Sequence, residues 1–520
     1  MGRGADVGVE RWSIVNQQIE IDAYCADDIR AAEAPVLAVV RDGALMDRAA
    51  DALARVCAEL MRRRRGGVYG RRAVLLVGTG NNGGDALLAG ALLCRRGLNV
   101  TAVLFGDEAY ARGLAKLRRA GGRFIDADDV GGPHDWAALL ADADMIVDGI
   151  VGISGSVGLE PMVEVALAAI NSETVVVAVD LPSGVDPDNG EVAGSHVRAH
   201  VTVTFGAFKP CLLLPPAAHV AGRIEFVSVG IEPGLPSTPA VRRLGPAGVA
   251  ARWPVPQYAG HKYTRGVLGV VAGSDMYPGA AVLAAMGAAR AGVGIIRFVG
   301  PQLVTDHVLR AVPEAVPGDG RVQAWLLGSG VENDRGQDAA IATALASGLP
   351  CVVDAGALSE CARQRTGGSR ATAADQLLLT PHAGELARVL GEIGHPVDRA
   401  DVERRPSYFC RLAAELLDAT VLLKGPTTLI GRSDGLIYSQ NDGLPWLATA
   451  GSGDVLAGIA GALMASGKPA QDAGAMAAFV HGRAAIMASK GGPIVASDVA
   501  HAAQDVVADL LARYVQSAPI

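Results

Sequence analysis

Two glycine-rich loops, one in each half of the chain, have residue types that bind phosphate groups. Residues 78–85 read Gly-Thr-Gly-Asn-Asn-Gly-Gly-Asp after an apolar run, and residues 450–454 read Ala-Gly-Ser-Gly-Asp before a stretch of small residues. Each loop places uncovered backbone amides and a carboxylate at the start of a predicted helix, where anions are favoured. We therefore expect two steps of chemistry on molecules that carry phosphate.

The first loop has a second possible interpretation. Gly78, Gly80 and Gly83 have the spacing of a dinucleotide fingerprint, and Asp107 follows at the distance of a ribose-binding acid. That spacing alone is a weak signal. The Asn81-Asn82 pair adds side-chain donors and acceptors, so the loop could hold a substrate and a hard cation together.

Two further acidic loops are expected to meet the first loop at the carboxyl ends of the strands, where ligands bind in open α/β sheets. Asp148 precedes a glycine-rich turn, and Asp180 ends another predicted strand. For any one acid, a helix cap or an Asx turn is the simpler interpretation. Three acids, counting Asp85, favour a site. Lys209 is either a solvated loop residue or a lysine that faces these carboxylates.

The second loop suits phosphoryl transfer. Its amides can stabilise charge on the moving group while Asp454 takes a proton from the attacking hydroxyl. The alternative is an aspartate that caps a packing helix. Upstream, Lys424 and residues 425–428 follow an apolar strand and suit nucleotide phosphates. A single histidine such as His382 is more often structural than catalytic.

Short β-branched runs alternate with helical patterns in both halves, which predicts two α/β domains in tandem. The strands expected in the first half are residues 74–77, 100–105, 145–147, 175–179 and 201–205, and the helices are residues 44–63, 86–96, 109–120 and 162–170. In the second half we expect strands at residues 267–272, 295–299, 324–327, 351–354, 376–379 and 420–423, with helices from residues 279, 384, 454 and 470. A proline-rich segment, expected to hold neither strands nor helices, separates residues 1–232 from residues 257–520 as a linker over residues 233–256.

Composition limits the possible functions. Half of the 520 residues are hydrophobic, 19% are charged, and the net charge of −8 argues against a general nucleic-acid binder. The basic run at residues 62–65 is interpreted as a solvated helix end. Seven scattered cysteines predict reduced thiols without disulfides or a zinc site. No apolar segment has the length of a membrane span or export signal, so we expect a cytoplasmic protein without membrane partners.

Residues 81–85, 179–186 and 204–210 together resemble the NAD(P)H-hydrate epimerase domain, over residues 10–230. The resemblance implies a Rossmann-like parallel sheet and a potassium ion held by Asn82, Asp148 and Ser183. The residues that it implies in binding the hydrated nucleotide are Asn81, Asn82, Gly83, Gly84, Asp85, Gly152, Ile153, Ser154, Gly155, Ser156, Val157, Gly158 and Asp180. Ala86 departs from the family's usual glycine, which matters only if that position needs a positive φ.

Residues 450–454 resemble the ribokinase-like superfamily, and residues 273–274, 277–281, 380–385 and 424–428 narrow the resemblance to the ADP-dependent NAD(P)H-hydrate dehydratase, over residues 255–515. The resemblance implies an α/β/α sandwich and a magnesium ion. The residues that it places at the hydrate are Ala280, Gly330, His382 and Asp454, and those at the adenine nucleotide are Lys424, Gly425, Pro426, Thr427, Thr428 and Gly453. Gly356 stands where the family has a second aspartate, and residues 328–330 lack its usual proline.

Together these resemblances imply a bifunctional repair enzyme. The first domain would interconvert the R and S hydrates of NADH and NADPH through loss and return of the hydroxyl, assisted by Asp180 and Lys209. The second would phosphorylate the S hydrate from ADP, with Asp454 as base, and eliminate phosphate. The implied partners are NADHX, NADPHX and ADP, with neither nucleic acid nor membrane, in a homo-oligomer.

Two other functions fit the same residues. One is a ribokinase-type small-molecule kinase with an N-terminal nucleotide- or partner-binding domain, which would accumulate a phosphorylated product. The other is a non-catalytic N-terminal module that binds a protein or lipid, in which Asn81, Asp148 and Asp180 would be replaceable. The choice of ADP over ATP rests on the bacterial form that the chain resembles.

Overall fold

The structure is a computed structural model that describes residues 19–106, 108–155, 157–332 and 334–514. These residues form two compact units, one of residues 22–241 and the other of residues 242–514 together with residues 19–21. Both units are α/β, as the alternating sequence pattern predicts.

The elements up to the unit boundary are, in chain order, β1 (Glu20–Ala23), α1 (Ala26–Leu37), α2 (Ala44–Arg65), β2 (Arg72–Val77), α3 (Asn81–Arg95), β3 (Asn99–Leu104), α4 (Ala111–Arg119), β4 (Arg123–Asp126), α5 (Pro133–Leu140), β5 (Met145–Gly149), α6 (Pro161–Ala168), β6 (Val175–Val179), β7 (Val201–Phe205), β8 (Arg223–Val227) and β9 (Val241–Leu244). In the described residues, seven of these strands form one sheet in the order β4-β3-β2-β5-β6-β7-β8, and all its neighbouring strands are parallel. The strand order reverses between β2 and β5, and ligands bind at such a switch point.

Alternate residues of β2 face opposite sides of the first sheet, because successive side chains of a strand alternate. Leu75 packs in the core formed with α2 and α3. Leu76 packs on the other side with Trp136 of α5. Helices therefore cover both faces, which explains why β2 is apolar almost throughout.

The elements of the second unit that follow β9 are α7 (Pro246–Arg252), β10 (Val267–Val271), α8 (Pro278–Arg290), β11 (Ile295–Val299), α9 (Gln302–Ala311), β12 (Val316–Pro317), β13 (Ala324–Leu327), α10 (Arg335–Ala346), β14 (Cys351–Val353), α11 (Leu358–Thr366), β15 (Leu377–Leu379), α12 (Ala383–Glu392), α13 (Arg399–Arg404), α14 (Pro406–Leu417), β16 (Thr420–Leu423), β17 (Thr428–Gly431), β18 (Ile437–Gln440), α15 (Ser452–Ala465), α16 (Ala470–Ser489) and α17 (Ala496–Tyr514). The strand order is β1-β9-β18-β17-β16-β15-β14-β13-β10-β11-β12. The strands from β16 to β12 pair in parallel, whereas β17 pairs antiparallel with β16 and β18.

Small residues let helices of the second unit pack closely. A Cβ added at Gly458 of α15 would lie 2.1 Å from the carbonyl oxygen of Ala284 in α8, and one at Gly287 would lie 2.5 Å from that of Val455. Only glycine fits at these two positions without a backbone shift. Close packing against α8 holds the start of α15, where the second predicted phosphate loop lies.

Several predictions of chain organisation are wrong in detail. The proline-rich segment 233–256 contains all of β9 and all of α7. The helix can form there because Pro246 occupies its first position, where no amide donor is needed. Helix α3 begins at Asn81, five residues earlier than predicted. The edge strands β4, β8 and β12 and the β17–β18 hairpin were not expected. The seven cysteines are free, as predicted.

Candidate active sites

The first glycine-rich loop joins β2 to α3 at the switch point of the first sheet. A Cβ at Gly78 would lie 1.9 Å from the carbonyl oxygen of Ile150, and one at Gly83 would lie 2.0 Å from that of Gly78. Glycine is therefore required for this tight turn. Thr79 and Asn81 at its crest are exposed, so the loop presents backbone to solvent at the start of a fifteen-residue helix.

The three predicted cation ligands meet around one backbone segment. Asn82 Nδ2 donates to the carbonyl oxygens of Val151 (3.2 Å) and Val179 (2.6 Å). The Ser183 hydroxyl accepts from the Val151 amide at 2.9 Å and donates to Asp148 Oδ1 at 2.6 Å. Burial raises the pKa of Asp148 to about 6, although hydrogen bonds from Ser183 oppose the shift.

Asp180 and Lys209 form a buried ion pair at the ends of β6 and β7. Lys209 Nζ also donates to Thr204 Oγ1 at 3.2 Å and to the carbonyl oxygen of Phe205 at 3.0 Å. Asp180 has a φ of 70°, a strained backbone for a residue other than glycine, and such strain is concentrated at functional sites. Lys209 faces the carboxylates, and the alternative of a solvated loop lysine is wrong.

Asp85 and Glu33 extend this charged cluster. Asp85 Oδ1 is buried and has no hydrogen-bond partner within the described ranges. Burial raises the pKa of Asp85 well above its usual value, and the charges of Asp180 and Glu33 add to this, while Lys209 opposes it. We did not predict Glu33 from the sequence. The sequence feature that could have indicated Glu33 is its position four residues after buried Ile29, which places a carboxylate on the apolar face of α1.

The predicted substrate loop, residues 152–158, passes over Asn82. A Cβ at Gly152 would lie 2.6 Å from Asn82 Oδ1. Arg30 of α1 donates to the carbonyl oxygen of Ile153 and to Ser154 Oγ, both at 3.2 Å. The described part of this loop, which also contains Gly155, Val157 and Gly158, therefore lies beside the asparagine loop. Ser156 and Asp107, named above as candidates, lie outside the described residues.

Ala86, the departure from the family's usual glycine, is an interior residue of α3. It is fully buried, and its φ is not positive. Gly149 of β5 faces it, where a Cβ would lie 2.7 Å from the Ala86 Cβ. Alanine thus fits the loop geometry without backbone strain.

In the second unit, Asp454 lies in the first turn of α15, next to the glycine turn. Gly451, with a φ of 86°, precedes the helix, and no side chain caps it. The interpretation of Asp454 as the capping residue is therefore wrong. Burial raises the pKa of Asp454 to about 7, Asp354 adds to the shift, and Lys424 opposes it.

Lys424 connects the predicted nucleotide loop to this carboxylate. Its Nζ donates to Asp354 Oδ1 at 3.0 Å, and a Cβ at Gly453 would lie 3.4 Å from the same nitrogen. Burial lowers the pKa of Lys424, but Asp354 and Glu385 outweigh it and raise the value. The ammonium is therefore held charged beside the backbone that precedes Asp454. In the rest of the loop, Gly425 and Pro426 are exposed, Thr427 is buried and Thr428 begins β17.

His382 is the N-cap of α12. Its Nδ1 accepts from the amides of Gly384 and Glu385, both at 3.1 Å, and Glu385 Oε2 accepts from the His382 amide at 2.7 Å. Glu385 Oε2 also lies 3.6 Å from Lys424 Nζ. His382 therefore caps α12 at the edge of the Lys424 cluster, and its contact with the hydrate stays a prediction.

Two further positions complete the second site. A Cβ at Gly330 would lie 2.4 Å from the Ala280 Cβ, so these two predicted hydrate contacts are neighbours. A Cβ at Gly356 would lie 2.3 Å from the carbonyl oxygen of Val331. This chain therefore has no room for the aspartate that its resemblance would place there.

Comparison with known proteins follows the same division of the chain. The family model described as "NAD(P)H-hydrate dehydratase" matches residues 268–506, and that described as "YjeF-related protein N-terminus" matches residues 42–211. The bifunctional NAD(P)H-hydrate repair enzyme Nnr of Mycobacterium tuberculosis is 44% identical over 463 residues, which cover 87% of this chain and 91% of that protein. The corresponding protein of Mycobacterium leprae is 42% identical, with coverages of 90% and 94%.

A solved structure is also similar to the second half. The ADP/ATP-dependent NAD(P)H-hydrate dehydratase of Bacillus subtilis, co-crystallised with ATP and Mg2+, is 26% identical. The match covers 52% of this chain and 97% of the Bacillus subtilis chain, with a TM-score of 0.46.

Proposed function

The chain belongs to the family of bifunctional NAD(P)H-hydrate repair enzymes, and we propose that it epimerises hydrated NADH and NADPH and then dehydrates the S epimer at the expense of ADP. One observation carries this proposal: the 44% identity spans 87% of this chain and 91% of a relative named as a bifunctional NAD(P)H-hydrate repair enzyme, so it includes both halves of the chain. The two charged sites, one in each unit, fit two consecutive steps.

In the first unit, the Asp180–Lys209 pair supports acid–base chemistry on the ring hydroxyl. A lysine held beside a carboxylate in a buried site can pass a proton to and from a bound hydroxyl. The asparagine loop and the loop at residues 152–158 would bind the hydrated nucleotide, with the loop amides facing its phosphates. The residue assignments implied by the resemblance stand as proposals.

A potassium ion fits the oxygen atoms around Val151. Asn82, Asp148 and Ser183 would hold it, and their donor set consists of amide, carboxylate and hydroxyl oxygens, which hard cations prefer. The ion would supply positive charge next to the nucleotide loop. The described residues contain no cluster of three or more His, Cys, Asp or Glu side chains suited to a metal, so the proposed site depends on neutral oxygens as well as one carboxylate.

In the second unit, Asp454 would accept the proton of the substrate hydroxyl as it attacks the terminal phosphate of ADP. A carboxyl pKa of about 7 suits a base that works near neutral pH. Backbone amides at the start of α15 and the charged Lys424 would stabilise the phosphoryl group in transfer. Elimination of phosphate from the ring would then restore NADH or NADPH, leaving AMP and phosphate.

A magnesium ion would be held mainly through the nucleotide phosphates, as is usual in phosphoryl transfer. Asp354 is poorly suited as a ligand, because it already accepts hydrogen bonds from Ser329, Thr380 and Lys424. Glu385 and Asp454 are the other carboxylates that act on Lys424. The ion would supply positive charge at the phosphates.

Location and assembly remain proposals. Seven free cysteines support a reducing, cytoplasmic environment. Among the helices of the described residues, none combines the length and apolarity that crossing a bilayer requires. The homo-oligomeric state expected above stays a prediction, to be measured by light scattering.

The decisive experiment incubates the protein with mixed R and S hydrates and ADP, and follows the absorbance of reduced nicotinamide. Complete recovery requires both activities. Recovery of only the S fraction would contradict the epimerase, and a phosphorylated product that accumulates without release of phosphate would instead indicate a ribokinase-type kinase.

A further inference from the structure

Helix α1 places a carboxylate at the first site that no other step of the proposed chemistry uses. Ile29 and Ala32 pack on Ala207 and Ile231 in one buried cluster, and the Tyr24 amide donates to the carbonyl oxygen of Phe208 at 2.9 Å. These contacts fix α1 against the segment that carries Lys209. Glu33 follows Ala32 directly and is half-buried.

The same helix also contacts the predicted substrate loop. Arg30, three residues before Glu33, donates to the carbonyl oxygen of Ile153 and to Ser154 Oγ. The Ala26 amide donates to Asp188 Oδ1 at 2.8 Å and fixes the start of the helix. Glu33 therefore belongs to a helix that is fixed both to the substrate loop and to the segment that carries Lys209.

Charged groups from four elements act on one another here. Burial raises the pKa of Glu33, Lys209 lowers it, Asp180 raises it and Arg30 lowers it. Glu33 and Asp180 both raise the pKa of Asp85 on α3. The pKa values of Glu33 and Asp85 are thus both raised, so these two carboxyl groups retain a proton more readily than solvated carboxylates.

We propose that Glu33 is a further catalytic residue of the epimerase, which exchanges a proton with the ring hydroxyl while the Asp180–Lys209 pair serves the opposite face. This inference rests on the epimerase function proposed above. Asp85 and Asp180 are more deeply buried than Glu33. Glu33 is therefore the carboxyl group of the cluster that bound substrate can reach most directly.

The proton and electron balance needs no other reactant. The C6–O bond breaks with its electron pair on oxygen, the lone pair of ring nitrogen N1 forms the C6=N1 bond, and the Glu33 proton turns the leaving hydroxide into water. Water then attacks C6 from the other face, the C6=N1 pair returns to nitrogen, and Asp180 takes the proton. The proton then returns from Asp180 to Glu33 through solvent water, which restores the starting state.

The test uses the full-length chain with potassium and without ADP, so that the dehydratase step does not run. One purified epimer is the substrate, and its conversion is followed by chromatography after subtraction of the spontaneous rate. We expect Glu33→Gln to lower kcat about 100-fold, the usual range for loss of an acid–base group, with KM within about twofold. Glu33→Asp should retain a carboxyl group and at least a tenth of the rate. Asp28→Asn, in the first turn of the same helix, should behave as the parent chain.

The outcomes separate this inference from the function on which it rests. A parent chain that does not convert the epimer refutes the epimerase proposal itself. An active parent with an unchanged Glu33→Gln kcat, or with a change in KM alone, overturns the role of Glu33. If Glu33→Gln lowers the melting temperature, Glu33→Asp decides: an active variant with a shifted pH profile supports the role, and an unshifted profile overturns it.

Discussion

Lys424 Nζ lies 3.0 Å from Asp354 Oδ1, and this carboxylate also accepts hydrogen bonds from Thr380 at 2.8 Å and Ser329 at 2.9 Å. Three donors hold Asp354 as a fixed, buried negative charge. Its charge is felt by Asp454, whose pKa of about 7 results first from burial and then from Asp354. The pair thus connects nucleotide recognition to the protonation state of the proposed base.

The dehydratase rate should therefore rise with pH through about 7, because Asp454 must be ionised to accept a proton. Replacing Asp354 with asparagine removes a neighbouring negative charge, which lowers the pKa of Asp454. The half-maximal pH should fall by about 1 unit, measured as kcat/KM for the S hydrate across pH. Asp434→Asn, at an exposed carboxylate between β17 and β18, should leave the profile in place. A half-maximal pH that rises in Asp354→Asn would contradict this assignment.

Asp454→Ala should lower dehydratase kcat by about 100- to 10,000-fold, the range for removal of a general base. ADP binding should remain within about threefold, because the glycine turn and Lys424 are unchanged. Calorimetric titration with ADP and the recovery of reduced nicotinamide absorbance measure the two quantities. Turnover retained in this variant would refute the role of Asp454. Epimerisation in the same preparation provides the control.

Lys209→Met should destabilise the first unit by about 3–5 kcal/mol, because it leaves Asp180 buried without its cation. It should also abolish epimerisation. Urea unfolding measures the stability, with fluorescence and circular dichroism as independent probes. The double variant Lys209→Met, Asp180→Asn removes both charges, so it should recover most of the stability while remaining inactive. A double variant that is no more stable than Lys209→Met would show that the unpaired charge of Asp180 does not cause the loss of stability.

Gly451→Ala should reduce dehydratase activity more than tenfold. A Cβ at this position would lie 2.3 Å from Leu283 Cδ1, so the Leu283 side chain must move. The strain of alanine at a φ of 86° falls directly on the amides that start α15. Gly467, after the other end of α15, has a similar φ of 89° and open space around it. Gly467→Ala thus carries the same backbone cost of about 1–2 kcal/mol and should keep full activity. Equal losses of dehydratase activity in both variants would show that backbone strain in general, and not the position of the turn before α15, causes the loss.

The central strands were predictable because burial on both faces requires continuous apolar runs. Strands β6, β7, β11, β13 and β16 have the predicted bounds. Two of the missed strands lie where this signal is absent: β8 (Arg223–Val227) is partly exposed along its whole length, and most residues of β4 (Arg123–Asp126) are exposed. Edge strands of this kind read as loops in a single sequence.

The candidate sites show the same limit. Asp85, Asp180 and Asp454 stand next to glycine or a strand end, so their roles could be inferred from neighbours in the sequence. Glu33 could not, because the groups that act on it, Asp180 and Lys209, are about 150 residues or more away along the chain.

The early start of α3 was missed for a related reason. Two glycines disfavour a helix locally, but close packing at Gly83 and Gly84 stabilises it.

The histidine that starts α12 has a consequence for tautomer choice. Because His382 Nδ1 accepts two amide protons, the neutral ring must carry its own hydrogen on Nε2. The cap of α12 thus orients an N–H donor, Nε2 of His382, on a side chain that is 57% exposed. This donor is in place before the carbonyl oxygen of a ligand binds.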